Sequence, residues 1–592
     1  MKTSSKLLRW LFVGMIALLI LALALPGCAP EEVAPAEKPA EKPAEKPAEE
    51  PAEKPAEEPP PVKDTLIIAI PDTPPGIDTD LYSHPATEKT SHQTYTCALE
   101  FKMVPCGEPG GPDVLKADFD AGPVPGLFEG YDVSTDGITY TFHLKKGVKS
   151  YYGNEFTTKD VKWRMDRAFG LAAVGFFLLL TSDIWEADQI EYIDDYTFSM
   201  TANNANPNVL NNIQHRMQYW WDSTEMQKHV TDDDPWATEW IRTHGGDGMG
   251  AYMVTEWIAG DRVVMEANPN FVAGKPPIDT LIWKAVPESS NRVALLKDGT
   301  IDVAYDLVPT ELDALKGTPG VRVINVSSNR QDWVILNYNH PILSNKLVRQ
   351  ALNYAINQED IVKTAYLGYA QPWRSATSMM WLGALPEEEF PYYYDPGKAR
   401  ELLAEAGYPD GFDIELRYDA GTAVHEVAGT LIQKNLADVG VTVTLKKVPS
   451  GVMGVDVISR QVPEMSMWHT SAMTFDINYA LNLFYHNLSC CTWGDYNNPE
   501  INRRIEEANG VLDPEERIQV HYGIQRDILE DAPLIYISEW NHTVAIRDNV
   551  KGWNWWTQGE TMMERVYFEG YTGETTIWAD EEALAGTIGK QL

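Results

Sequence analysis

The chain has 592 residues, 44% hydrophobic and 10% aromatic, with 48 Lys and Arg against 86 Asp and Glu. Its formal net charge of −38 argues against nucleic acid or an anionic lipid surface as partner, because both would repel it. A length near 600 with 19 Trp and 27 Tyr exceeds one compact core and implies at least two lobes.

The first segment combines a positive start (Lys2, Lys6, Arg9) with an apolar run, Leu11–Leu25. That is the layout of a secretory signal peptide, and the run is shorter than the roughly 20 residues a membrane span needs. Leu25-Pro26-Gly27-Cys28 resembles a bacterial lipobox, with an unusual Pro at its second position. The resemblance implies cleavage before Cys28 and a diacylglycerol on its thiol; an uncleaved anchor is the plainer alternative. From Ala29 to Lys63 the chain repeats Pro-Ala-Glu-Lys or Pro-Ala-Glu-Glu. With almost no apolar bulk to offset ordering entropy, this reads as a disordered tether. Proline at every fourth residue favours an extended path, with a reach on the order of 100 Å. The signal contributes +3 and the tether −5, which leaves −36 on the remainder. Four cysteines follow Cys28: Cys97, Cys106, Cys490 and Cys491. Their pairing stays open, and no histidine spacing supports a cysteine-rich metal site.

From Asp64 the elements alternate. Asp64–Ile70 predicts a short buried strand, and Asp132–Val148 a hairpin turning at Asp136-Gly137. A helix capped by Thr157 or Thr158 follows, and the apolar run Leu171–Leu180 predicts a buried helix. Gly245–Phe271 reads as a glycine loop leading into two strands, which is not a phosphate cradle. Val348, Ala351, Leu352, Ala355 and Ile356 mark one helix face; Asn357 caps the next helix, expected to stop at Gly368. Asp395 and Pro396 open another helix that Gly407 closes. A strand over Phe412–Tyr418, a helix near Val424–Val439, a strand over Val441–Val448, a helix from Asp513 and a strand at Leu534–Ser538 complete an α/β pattern.

Four stretches carry a resemblance: "GITYTFHLKKGVKSYYGNEFTTKDVKW", the run from Gly248 to Tyr305, "VRQALNYAINQEDIV" and "DPGKARELLAEAGYPDGF". In this order they resemble the signatures of the peptide-type (family 5) extracellular solute-binding proteins of ABC importers. The resemblance implies a two-lobed periplasmic-binding-protein-like α/β fold (class II type) with a ligand cleft between the lobes. It implies a discontinuous first lobe, 64–330 plus 541–592, and a second lobe, 331–540. A monomer, delivery of ligand to a permease, an extracytoplasmic location with a lipid anchor, no catalytic residues, no cofactor and no metal are further expectations from it. Peptide-binding relatives carry Gly-Trp and then an acid that takes the peptide amine. The matching stretch here, Ser466–Asn487, keeps Trp468 but has Met467 for the glycine and Ser471 at the acid position, so Asp476 is the next acid. Trp468, Asp476 and Ser471, together with Asn337 and Tyr338 on the strand entering the second lobe, are the expected ligand contacts, and Cys28 the lipid site. A short peptide is the expected ligand and an oligosaccharide the alternative. An exported polysaccharide hydrolase with paired carboxylates is the alternative from another class, although no Gly-x-Ser-x-Gly or His-Glu-x-x-His occurs.

Overall fold

Two long antiparallel strands, Val321–Leu336 and Leu534–Arg547, carry the chain between the two halves of one sheet. Both are rich in Val and Ile, which suit a pleated surface buried on each side. Their pairing is regular from Val321↔Arg547 to Val326↔His542 and resumes at Arg330↔Trp540. Between these points Ser327, Ser328 and Asn329 face the single residue Asn541, a bulge that breaks the ladder and bends the strand. Ser328 Oγ donates to the Trp540 carbonyl, and Asn541 Nδ2 donates to Asn325 Oδ1 at 2.8 Å, so side chains hold the gap.

The computed structural model describes residues 63–82, 84–107, 111–118, 123–213, 219–245, 248–471, 476–489, 491–556 and 561–572. The signal segment, Cys28 and the tether lie outside the described residues, as does Cys490. The large sheet runs in the order Tyr252–Ile258, Arg262–Ala267, Thr280–Ala285, Thr65–Ile70, Val303–Ala304, Leu534–Arg547, Val321–Leu336, Met465–Ser471, Phe412–Asp419, Val441–Val448. Ala370–Pro372 adds to Leu534–Arg547 as an eleventh strand. On the N-terminal side Leu66, Ile68, Ile70, Trp283, Ile546 and Trp553 share one core. A separate four-stranded sheet, Phe128–Val133, Thr139–Leu144, Thr197–Thr201 and Ile190–Asp194, packs under the helix Thr158–Leu171. On the C-terminal side, helices Lys346–Ala355, Gln358–Ala365, Pro396–Glu405 and Ala423–Ala437 cover one sheet face. Ile477–Tyr485, Pro499–Ala508 and Pro514–Asp531 cover the other.

Local chemistry sets most element ends. Thr157 and Asp160 form a reciprocal capping box. Asn357 accepts from the Asp360 amide at 3.1 Å, Asp395 from Lys398 at 2.8 Å and Asp513 from Glu516 at 2.9 Å. Two expectations shift. The run Leu171–Leu180 is not one helix, because Ala172 turns left-handed and a new helix starts at Val174. Its first-turn amide at Gly175 donates to buried Asp80 at 3.0 Å, which fixes the restart there. Asp80 and Asp78 are themselves buried against Arg164 and Arg167. The helix from Gln358 ends at Ala365, three residues before Gly368, and Leu367 and Gly368 complete the turn in left-handed backbone.

Candidate functional site

The structure concentrates polar side chains where the ladder resumes, at Arg330↔Trp540. Alternation along the strand sends Gln331 and Trp333 to one face and Asp332 and Val334 to the other. On the first face Glu539, the ladder partner of Gln331, accepts from Ser378 Oγ at 2.5 Å, Gln371 Nε2 at 3.0 Å and Gln331 Nε2 at 3.3 Å. Burial pushes its carboxyl up to about 7 despite these donors.

On the opposite face Asp332 accepts from the Tyr366 hydroxyl at 2.5 Å. His425, near the start of the helix Ala423–Ala437, brings Nε2 to 3.8 Å from Asp332 Oδ2. His469 is the register partner of Asp332 on the neighbouring strand and shares its face. Burial by itself would raise the Asp332 carboxyl. His425 beside it, with Arg330 and His469, holds it at about 2. Burial, reinforced by the charge of Arg330, keeps the His469 imidazole well below its usual range and therefore neutral. The Arg330 guanidinium lies 4.2 Å over the Trp540 ring.

Asp306, from the N-terminal half, completes the junction. It is exposed, yet the surrounding protein desolvates it; Lys89, Arg292 and Arg330 outweigh that and hold its carboxyl below the usual range. Lys89 Nζ stands 3.5 Å from it. His469 is partly exposed. One charged or titratable group thus comes from each half, with Arg330 acting on both.

The expected contact residues divide. Trp468 is half-buried, pairs with Trp333 across the ladder, and its ring lies 5.4 Å from that of His469, nearly parallel. Ser471 is the backbone partner of Arg330; its side chain lies outside what is described. Asp476 caps the helix Ile477–Tyr485, accepting from the Tyr479 amide at 3.0 Å. Asn337 donates to the carbonyls of Val462 and Pro463 at 2.8 and 2.9 Å. The Tyr338 hydroxyl donates to the Asp531 carbonyl at 3.2 Å, with Arg349 stacked 4.0 Å over its ring. Asn337 and Tyr338 follow the end of the strand at Leu336, about 23–26 Å of extended chain beyond Arg330 at roughly 3.3 Å per residue. Asp332, His425, His469, Arg330, Asp306 and Glu539 were not foreseen. The signals were faint: an acid inside the apolar run Gln331–Leu336, and a histidine directly after Trp468.

Two lobes on a shared pair of crossing strands define a solute-binding protein. The family model for bacterial extracellular solute-binding proteins, family 5, matches residues 122–489, and the chain belongs to that family, which serves ABC importers. A glutathione-binding protein of Pectobacterium atrosepticum is 29% identical over 434 residues, 70% of this chain and 79% of its own. The structure of the periplasmic binding protein DppA of Helicobacter pylori with the peptide STSA superposes with a TM-score of 0.72 at 23% identity, covering 86% of this chain and 98% of that one. A dipeptide-binding protein of a Pseudoalteromonas species, in complex with Met-Leu, gives 0.71 at 20% identity, covering 85% and 100%. No helix among the described residues is long and apolar enough to cross a membrane.

Proposed function

We propose that the protein is a lipid-anchored, extracytoplasmic captor of a short peptide, which it closes around and presents to an importer permease as a monomer. The polar junction around Arg330, where the two crossing strands resume their pairing, is the observation that carries this reading. It offers the Asp306 carboxylate for a peptide amine and the Arg330 guanidinium for a carboxylate, with the Trp468 indole on the neighbouring strand as an apolar platform. The relatives named above as binding glutathione, STSA and Met-Leu support a peptide over an oligosaccharide.

The lobes divide at the bulge, 64–330 plus 541–592 and 331–540, where the interrupted ladder Ser327–Asn329 opposite Asn541 serves as hinge. A ligand touching both walls at once stabilises the closed form and shifts the population toward it. Transport energy comes from the permease's own ATPase, so the captor binds without turnover. Its anchor is a diacylated Cys28, and the tether gives it room to move between the surrounding fluid and the permease.

Mass spectrometry of solute carried through purification identifies the ligand class. Short peptides are expected to raise the melting temperature and to be recovered intact. Cleavage products that track the purified protein overturn the binder reading in favour of a hydrolase, and stabilisation by oligosaccharides alone overturns the peptide reading.

A further inference from the structure

Asp332, His425 and His469 arrive from three elements: the crossing strand Val321–Leu336, the helix Ala423–Ala437 and the strand Met465–Ser471. Each offers one ligand atom, and the three atoms lie within 4.8 Å of one another. Asp332 and His425 are fully buried, and His469 is partly exposed. Asp332 Oδ1, both ring nitrogens of His425 and His469 Nδ1 have no hydrogen-bond partner. Buried polar atoms are normally satisfied, so unpartnered atoms on three side chains whose ligand atoms cluster together mark a site that something else completes.

We propose that Asp332, His425 and His469 bind one divalent first-row cation of the zinc type, with a coordination position left open on the side of His469.

The donor set suits such an ion: two imidazoles and one carboxylate are borderline ligands, softer than the all-oxygen shells of calcium or magnesium. Bonds of about 2.0–2.1 Å place tetrahedral ligand atoms about 3.3 Å apart. Tyr366 already donates to Asp332 Oδ2, which orients the carboxylate and leaves Oδ1 for the metal. Arg330 adds an opposing positive charge; Asp306 on one side of it and Asp332 on the other offset this. Because His469 is the exposed member, water or a donor atom of a bound solute completes the shell from its side. The inference does not depend on a peptide being the solute.

The test uses the full chain, without an affinity tag and stripped with chelator, titrated with zinc chloride in a calorimeter. One equivalent is expected to bind at low-micromolar affinity or tighter. His469→Gln and Asp332→Asn, checked for an unchanged circular dichroism spectrum, should each weaken binding at least tenfold. Absence of saturable binding, or equal affinity in a folded variant, overturns the proposal. If neither variant folds, X-ray absorption at the zinc edge of the loaded wild-type chain decides. Two imidazoles with oxygen in the shell support the site, and an all-oxygen shell overturns it.

Discussion

Glu539→Gln is the most informative single perturbation at the junction. Glu539 is buried beneath Ser378, Gln371 and Gln331, and burial raises its carboxyl from an ordinary 4.5 to about 7. Between those values the folded chain keeps a proton that the unfolded chain has released. The unfolded state therefore binds fewer protons, and stability falls as pH rises through this window. Below about 4.5 both states are protonated and the term vanishes; above about 7 it is fully present. The interval corresponds to about 3 kcal/mol. Glutamine keeps the shape and removes the charge. Its one amide oxygen can keep the Ser378 and Gln331 donors at the Oε1 position, and Gln371 must turn its own amide oxygen toward the new amide nitrogen at the Oε2 position. Urea unfolding of both proteins at pH 4.5, 6 and 8, followed by tryptophan fluorescence, isolates the term, because all other titrations cancel in the difference. The variant should match wild type at pH 4.5 and exceed it by about 3 kcal/mol at pH 8. A difference independent of pH would refute the buried, proton-holding carboxyl.

Four further outcomes follow from the same structure. Trp468→Ala should weaken binding of a confirmed solute by about 1–3 kcal/mol in calorimetry. Asp476→Asn should leave that affinity unchanged and alter helix stability by at most about 1 kcal/mol, since its carboxylate caps Tyr479; a large loss of affinity would return Asp476 to the ligand. Asp80→Ala should cost about 3–5 kcal/mol in chemical unfolding, because it removes the carboxylate paired with buried Arg164 and one of the two paired with buried Arg167. Gly494→Ala should cost about 2 kcal/mol or more, because its φ is +73° and a new Cβ would stand 2.1 Å from the Leu336 carbonyl oxygen.

Much of the fold was legible because its signals are local. Asn357, Asp395 and Asp513 announce helix starts through side chains that bind the backbone three residues on, and Gly407 and Gly440 announce ends through φ values of +92° and +91°. The break at Ala172 was hidden because its cause, Asp80, lies far away in sequence. The site was hidden for the same reason. His469 meets Asp332 only through strand register, and His425 joins them only because its helix packs over that sheet face. Trp468 stands out in the sequence through the family resemblance, whereas its neighbour His469 carries no motif. The uses of Asn337 and Asp476 depend on whether a backbone group lies near enough to engage the side chain, which spacing alone does not reveal.

The placement of Leu534–Arg547 has a consequence for the order in which the molecule can be completed. Val303–Ala304 and Val321–Val326 each pair with this strand and not with one another. Their common neighbour is synthesised only after every helix that covers the C-terminal half of the sheet. Val544, Ile546, Val550, Trp553 and Trp555, which fill the N-terminal core, arrive later still or with it. A growing chain therefore holds its earlier half open, with a vacant strand position and an unfilled core, while the later half gathers its parts. The half that is made first is finished last. For that interval the unpaired edges at Val303–Ala304 and Val321–Val326 are open to wrong partners. A chain that stops before Leu534 keeps that gap permanently.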